Sequence, residues 1–277
     1  MVPPIDRATM HRLLRHEAEV HAMPGRTLRD LGDSLLLTDP VEHEPFWNRL
    51  EAVDWPEEPA AFDRRLAEVS VIFASLGRQP HVWGSPPHDR PSDLADRLRA
   101  NGFEDMGPGY LMVTRDAAPA RAALDRVPNG SWTLDRLSGL EGLAATEAAE
   151  AIVGVLLSAF GVEEERRAGV TVETMASLRD PRFTHYIARL DGVPAAVARR
   201  ATFDRLSYLS SIGTVDAARG HGLGRLVTAT AMLDAEAAGS DYIHLGVFAD
   251  NPVAIGLYRS LGFEFHGDPG PDLMLVG

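Results

Sequence analysis

The sequence predicts an α/β protein built from two tandem copies of one fold. A strand pattern over 206–215 runs directly into a glycine-rich turn and then a helical pattern that stops at Gly239. The segment RANGFEDMG, starting at Arg99, also aligns with RSLGFEFHG, starting at Arg259, an offset of 160 residues (259 minus 99). Helices and strands follow the same order around both segments, so we expect a duplication. A chain of 277 residues is long enough for two modest domains.

The first half alternates helices with short strands. An aromatic and proline-rich stretch in its middle is expected to pack irregularly. The clearest helix covers 60–77, where apolar residues recur on one face before a terminal glycine: Phe62, Leu66, Val69, Phe73 and Gly77. The other predicted elements are a helix at 5–22, a strand at 34–40, a strand in HVWGSP, a helix at 91–102 and a strand at 109–113.

The second half repeats this alternation after a linker at 116–130, which is rich in alanine, proline and arginine. A strand and a long helix come first, and the glutamate run at 163–165 is expected to be a solvated surface. Asp191-Gly192 is typical of the turn of a β-hairpin. The predicted domains are therefore 1–115 and 131–277. Later elements are the strand at 206–215, the helix ending at Gly239, a strand at 242–248 and a helix from Asn251.

The glycine-rich turn has the properties of a phosphate-binding site. Gly220, Gly222 and Gly224 stand where the strand passes into the helix, so no Cβ blocks an anion from the free N–H groups there. A P-loop needs a lysine, and the chain contains none. The dinucleotide fingerprint also fails, because the third glycine comes one residue early. The pattern that remains is Arg219-x-x-Gly222-x-Gly224.

Two motifs together identify a resemblance to a known family. The first is the R-x-x-G-x-G pattern at Arg219, and the second is NPVAIGLYRSLGF at 251–263. Both resemble motifs of the GCN5-related N-acetyltransferases, in which the glycine loop holds the pyrophosphate of acyl-CoA. The second follows the family pattern N-x-x-A-x-x-x-Y-x-x-x-G-F. The resemblance implies that each copy is a mixed, mostly antiparallel twisted sheet flanked by helices.

The resemblance also implies which residues bind acetyl-CoA, the acyl-donor substrate. The glycine loop would hold the pyrophosphate, and the strand before it would pair its backbone with the pantetheine arm. A backbone N–H of that strand would also meet the developing oxyanion. The implied cofactor-binding residues are Ile212, Thr214, Val215, Arg219, Gly220, His221, Gly222, Leu223, Gly224, Arg225, Asn251, Ala254 and Tyr258.

Tyr258 is the implied general acid that protonates the departing CoA thiolate. A thiol has a pKa near 8.5 and a tyrosine near 10, so a correctly placed phenol can supply the proton. Asn251 lies seven residues earlier and therefore on the same helix face. The alternative interpretations are structural: Asn251 as a helix N-cap and Tyr258 as a packing residue.

The general base is less clear from the sequence. Many relatives carry a glutamate in the middle of the strand at 242–248, whereas this chain has Gly246. His244 shares strand parity with Gly246 and is the candidate base, with a structural role as its alternative. Ser210 or Ser211 could instead position a water.

The first copy lacks the residues that carry the chemistry. At the same offset Tyr258 corresponds to Leu98, and the glycine loop corresponds to PAAFDR at 59–64. The chain thus resembles tandem members of the family with a degenerate N-terminal copy. We expect that copy to act as a scaffold and as one wall of the acceptor site.

Composition narrows the function further. A net charge of −13 argues against nucleic acid as a partner. With no cysteine and no metal-type spacing of histidines, we expect no disulfide, no thiolate nucleophile and no metal. The charged N-terminus does not resemble a secretory signal, and the apolar run at 151–160 is too short for a membrane span. These features predict a cytoplasmic monomer or homodimer with no membrane partner.

The predicted function is transfer of an acetyl group from acetyl-CoA to a primary amine of a small molecule or peptide. Two alternatives stay open at this point. One is a transferase that uses a longer acyl-CoA, since the glycine loop does not select the acyl group. The other is a CoA-binding sensor or assembly module without turnover, which the missing strand carboxylate favours and the retained Tyr258 opposes.

Overall fold

The computed structural model describes residues 5–23, 25–86, 88–127 and 130–276. Among the described residues, the first half contains three α-helices and six short strands. They are α1 (Arg7–Ala22), β1 (Thr27–Asp30), β2 (Leu35–Thr38), β3 (Arg49–Glu51), α2 (Pro59–Ser75), β4 (His81–Trp83), α3 (Leu94–Ala100), β5 (Phe103–Asp105) and β6 (Gly109–Thr114).

The second half has longer helices and strands. Its elements are α4 (Ala118–Leu124), β7 (Trp132–Leu137), α5 (Gly142–Phe160), α6 (Arg167–Arg179), β8 (Phe183–Leu190), β9 (Val193–Phe203), β10 (Leu206–Thr214), α7 (Leu223–Ala237), β11 (Tyr242–Phe248), α8 (Pro252–Ser260), β12 (Glu264–Phe265) and β13 (Asp272–Leu275).

The strands form two mixed sheets. One has the order β1-β2-β3-β4-β13-β5, and the other has the order β12-β6-β11-β10-β9-β8-β7. Most neighbours are antiparallel, but β3–β4 and β10–β11 are parallel. Helices flank both sheets. The predicted fold class, two mostly antiparallel mixed sheets flanked by helices, is confirmed.

The two halves exchange their last strands. β6 pairs with β11 and β12 of the second half, and β13 pairs with β4 and β5 of the first half. Each sheet therefore contains a strand from the other side of the predicted boundary. The division into domains 1–115 and 131–277 stays a prediction. It follows chain order, whereas each sheet contains strands from both sides of the boundary.

Several local features differ from the sequence expectations. The aromatic and proline-rich stretch contains β3, whose three residues are all buried. The predicted linker contains α4, where Ala120 and Ala123 are buried in the core that also contains α7. Short amphipathic or alanine-rich segments carry weak signals of their own, and burial against neighbouring elements decides their structure.

Other expectations are confirmed. The apolar face of α2 is buried in the first-half core, and Gly77 follows the helix with a φ of 65°. The hairpin between β8 and β9 turns at Asp191 and Gly192, whose φ values are 50° and 81°. Both residues thus have the positive φ that a two-residue hairpin of this kind requires.

Helix α1 lies between the two sheets. Leu13 is buried in one cluster with Val113 of β6 and Leu206 of β10. Leu14, one residue on, is buried with Leu35 of β2. The helix therefore belongs to the cores of both halves.

The apolar run at 151–160, which predicted no membrane span, belongs to a longer helix. α5 has 19 residues and is long and apolar enough, by length and composition alone, to cross a membrane. Ile152 and Leu156 are buried with Leu178 of α6 and Val197 of β9. One face of α5 therefore packs into a core of the second half, while less than half of its most apolar stretch is buried.

The strand exchange predicts that a change near the C-terminus destabilises the first half. Leu273 of β13 is 1% exposed and belongs to the first-half core. Leu273→Ala should lower the free energy of unfolding by about 2–5 kcal/mol, since it leaves a cavity there. Hydrogen exchange should show lost protection in β4 and β5. The control is Val276→Ala, because Val276 is 36% exposed. Loss of protection confined to the second half would contradict the prediction.

Candidate active site

The candidate site begins where two parallel strands separate. β10 and β11 pair only at the start, from Leu206–Tyr242 to Tyr208–His244, although both strands continue. A bulge between Ser210 and Gly213 then shifts the pairing of β10 with β9. The splayed ends leave a gap and free backbone groups at the carboxyl end of β10, where a ligand can pair with the strand.

A close contact with α5 shapes the bulge. A Cβ at Gly213 would lie 2.9 Å from Cβ of Ala159 and 3.4 Å from the Phe160 ring. Only glycine therefore allows the end of α5 to pack against this part of β10. The contact brings Phe160 to the opening between the strands.

The glycine turn forms the second side of the site. Gly220 and Gly222 have φ values of 82° and 77°, and Gly222 is the N-cap of α7 with no side-chain cap. The first N–H groups of this 15-residue helix have no partner within the helix, and they lie at the positive end of its dipole. A Cβ at Gly224 would lie 3.1 Å from Oγ1 of Thr214. The start of α7 thus packs closely on β10, and the arrangement suits an anion.

A cavity of about 600 Å³ connects these features. Most of the predicted cofactor-binding residues line it: Ile212, Thr214, Arg219, Gly220, Gly222, Leu223, Gly224, Arg225, Asn251, Ala254 and Tyr258. No motif in the sequence pointed to the other residues of its wall, which are Ala159, Phe160, Gly213, Ala218, Val253 and Leu257. Gly213 stood within the predicted strand, but no local signal marked the contact with α5.

Val215 and His221 do not line this cavity. The backbone N–H of Val215 donates to the carbonyl of Ala195 at 2.9 Å. The His221 ring turns back on its own loop, with Nδ1 3.2 Å from the carbonyl oxygen of Arg219. These two residues support the turn, and the structure does not bring their side chains to the cavity.

The structure argues against His244 as the general base. It is fully buried, and its Nε2 lies 3.0 Å from Nδ1 of His16 on α1. Burial, with the nearby His16, holds the pKa of His244 well below its ordinary value. His244 does not line this cavity, nor the one that Tyr208 and Gly246 line. Strand parity correctly placed it beside Gly246, but α1 covers that face, which the sequence did not reveal.

Tyr258 stands in the wall of the cavity with most of its ring buried. It is 6% exposed, and its ring meets Phe263 edge-on at a centroid distance of 6.0 Å. Burial raises the pKa of Tyr258 to about 12, so the phenol keeps its proton at neutral pH. The same surroundings would also raise the pKa of a neighbouring thiolate. Tyr258 is therefore both a packing residue and a protonated group facing the cavity.

Asn251 caps the helix that carries Tyr258. Its side-chain Oδ1 accepts from the N–H of Ala254 at 3.0 Å, and Pro252 occupies the first helical position. This is the structural role expected from the sequence. Because Asn251 also lines the cavity, the cap fixes the start of α8 at the site.

A second cavity, of about 380 Å³, adjoins the first at Phe160, which lines both. Residues of both halves form its walls. His21, Phe46 and Trp47 come from the first half, and Tyr208 and Gly246 come from the sheet of the second. Apolar side chains of α5 and α6 form another part of its wall: Ile152, Leu156, Leu157, Phe160 and Val170. Its polar lining includes Glu173, Thr174, His185, Arg199 and the two serines considered in the sequence analysis, Ser210 and Ser211.

A buried ion-pair network closes one side of the second cavity. Glu173 of α6 pairs with Arg199 of β9 at 2.8 Å and with Arg26 at 3.1 Å. Burial alone would raise the pKa of Glu173, but the two arginines together lower it. Arg26 also stacks on Trp47, 3.4 Å from the ring centroid. The sequence showed no signal for this network, because its members lie far apart in the chain.

The described residues contain no group of three or more His, Asp or Glu that could hold a metal. The site as described consists of a phosphate-type cradle, an open strand edge, a buried phenol and an adjoining, mostly apolar cavity. This combination suits an acyl carrier with a phosphorylated end in the first cavity and an acceptor in the second.

Three solved structures are similar to this chain over most of its length. A GCN5-related N-acetyltransferase from Kribbella flavida is 24% identical, with 94% of this chain and 95% of that chain covered and a TM-score of 0.65. A tandem GNAT protein from the clavulanic acid biosynthesis pathway is 17% identical, with 93% and 86% covered and a TM-score of 0.61. A conserved protein of unknown function from Staphylococcus epidermidis ATCC 12228 is 12% identical, with 91% and 94% covered and a TM-score of 0.67.

These likenesses show a shared fold along nearly the whole chain. No curated protein matches the chain. Residues 150–263, which include the glycine turn, β10, β11 and Tyr258, match the sequence model of the acetyltransferase (GNAT) family. The match therefore assigns residues 150–263 to the acetyltransferase (GNAT) family, and the rest of the chain shares the fold of the solved structures named above.

Proposed function

We propose that this protein transfers an acetyl group from acetyl-CoA to a primary amine of a small molecule or peptide. One observation carries the proposal: the glycine turn, the free edge of β10 and Tyr258 line a single cavity. If these features were only a tight turn, a strand end and a packing residue, nothing would require them to line the same cavity. The proposal includes a cytoplasmic monomer or homodimer that needs no metal.

Each part of the cavity suits one part of acetyl-CoA. The N–H groups at the start of α7 would hold the pyrophosphate, and Arg219 and Arg225 would add positive charge. The bulged strand from Ile212 to Thr214 would pair with the pantetheine arm and direct a backbone N–H at the developing oxyanion. The acceptor amine would enter from the second cavity.

The chemistry then needs one bond exchange and two proton transfers. The neutral amine attacks the thioester carbonyl, a C–N bond forms and the C–S bond breaks. Tyr258 gives its phenol proton to the departing thiolate, and the proton that the amine nitrogen loses after the attack restores the phenol. Holding the two reactants in adjoining cavities removes much of the entropic barrier to their encounter.

The first prediction for this function concerns the glycine turn. Gly224→Glu should abolish acetyl-CoA binding in calorimetry, since its carboxylate would point at the phosphates. Because a Cβ at this position already lies 3.1 Å from Thr214, a melting curve should confirm that the variant folds. Gly256→Glu is the control: it adds the same charge to α8, where a Cβ meets nothing within 4 Å. Wild-type affinity in a folded Gly224→Glu protein would contradict the assignment.

The second prediction concerns Tyr258. Tyr258→Phe keeps the ring, so melting temperature and acetyl-CoA affinity should barely change. The kcat should fall by roughly 10²–10⁴-fold with little change in KM, because the lost proton transfer belongs to the transition state.

A matched control for this variant is Tyr186→Phe. The Tyr186 hydroxyl donates to Asp234 at 3.0 Å, away from the cavity. That variant should lose stability by about 1 kcal/mol and keep its turnover. The reverse pattern, normal turnover in Tyr258→Phe with reduced stability, would make Tyr258 a packing residue only.

A further inference from the structure

The proposed transfer leaves one proton without an acceptor. A primary amine is largely protonated at neutral pH, so it must lose a proton before or during its attack. The second cavity has four titratable groups that could receive it: Glu173, His21, His185 and Tyr208. The environment of each group decides whether it can do so. The inference below rests on the proposed function.

Three of these groups are poor proton acceptors. Arg26 and Arg199 both pair with Glu173 and stabilise its ionised form. Burial, followed by the charge of Arg49, holds the pKa of His21 well below its ordinary value. Burial and Arg199 lower the pKa of His185 to about 3. None of the three therefore readily takes up a proton at neutral pH.

The fourth group, Tyr208, is hydrogen-bonded to a carboxylate of the first half. The Tyr208 hydroxyl donates to Oε1 of Glu17 on α1 at 3.0 Å. A Cβ at Gly246 would lie 3.5 Å from that hydroxyl and 3.6 Å from the same carboxylate oxygen. Glu17 and Tyr208 thus meet directly above the strand position that carries no side chain. Gly246 lines both the second cavity and a small cavity beside Glu17.

The charges around Glu17 are suited to reversible protonation. Burial, reinforced by the Glu51 carboxylate, raises the pKa of Glu17 to about 7, while Arg49 and the Tyr208 hydroxyl oppose the rise. Arg49 is itself paired with Glu51 at 2.8 Å. Other titratable groups near the pair are His16 and His21 of α1, His244 of β11, and His266 and Asp268, which line the small cavity.

We propose that Glu17, acting through Tyr208, accepts the proton of the acceptor amine. The ammonium gives a proton to Oη of Tyr208 as the Tyr208 hydroxyl proton passes to Oε1 of Glu17. One N–H bond and one O–H bond break, and two O–H bonds form. The products are a neutral amine, a neutral tyrosine and a neutral Glu17, which later returns its proton to solvent. Glu17 does not touch the substrate, so it is a positioning residue.

This assignment gives the first half a direct part in the reaction. α1 belongs to the copy that lacks both the glycine turn and the tyrosine. It supplies the carboxylate that β11 does not carry at Gly246. The degenerate copy is thus more than a scaffold, since removing α1 would remove the proton acceptor.

The test compares Glu17→Gln with wild type in acetyl transfer to a primary amine that the wild type accepts. Gln keeps an acceptor for the Tyr208 hydroxyl, so fold and acetyl-CoA affinity should be unchanged. At pH 7 kcat/KM should fall roughly 10²-fold or more. Because ionised Glu17 is the active form, wild-type activity should rise with pH through about 7. Glu17→Gln should lack that rise and regain activity only as the amine itself loses its proton.

Two further variants exclude a merely structural effect. Glu19→Gln, on the same helix and half-exposed, should behave as wild type in both rate and pH profile. Glu17→Ala with Gly246→Glu returns a carboxylate to the same space from β11. This double variant should be at least tenfold faster than Glu17→Ala alone, and its activity should again rise with pH.

The outcomes separate the two proposals. If the wild type binds acetyl-CoA but acetylates no amine in a broad library, the proposed function fails, and this assignment fails with it. If the wild type transfers acetyl and Glu17→Gln keeps the wild-type pH profile, only the role of Glu17 is overturned. Failure of the double variant to recover activity, when both single variants fold, would also count against Glu17.

Discussion

The exchange of β6 and β13 is the constraint on which the rest of this structure depends. Each strand is antiparallel to two neighbours of the other half, so main-chain hydrogen bonds within both sheets join the two halves of the chain. Neither sheet is complete without the other half of the chain. Helix α1, packed between the sheets, is held in place by this arrangement, and with it Glu17 is fixed above Gly246.

The first cavity, beside the glycine turn, depends on the close approach of helices α5 and α7 to the backbone of β10. Gly213 lets α5 press against the bulge, and Gly224 lets α7 start beside Thr214. The first contact lies at the bulge of β10, and the second places the unpaired N–H groups of α7 beside the same cavity. The absence of a Cβ thus matters at both positions: at Gly213 it shapes the strand, and at Gly224 it shapes the anion site.

Buried charge distinguishes the acceptor side from the donor side. Arg26, Glu173 and Arg199 form a paired network, and Arg49 with Glu51 forms another beside Glu17. Removing one partner of such a network is costly, since it leaves an uncompensated charge in the interior. The networks therefore hold the cavity walls in one arrangement. The Glu17 carboxylate, in contrast, accepts a hydrogen bond from the Tyr208 phenol, and burial raises its pKa to about 7.

The sequence by itself determined the local features of this protein. Periodicity located α2 and α7, and β-branched and aromatic residues located β11. The glycine spacing, with Asn251 and Tyr258, predicted the proposed acetyl-CoA site, because each of these motifs lies within one short segment. Tertiary structure alone decided which strands the halves exchange, that α1 covers His244, and that Glu17 meets Tyr208. Those outcomes depend on contacts between residues up to about 230 positions apart. No local pattern of hydrophobicity or charge encodes such contacts, so the proposed proton acceptor could be recognised only from the folded structure.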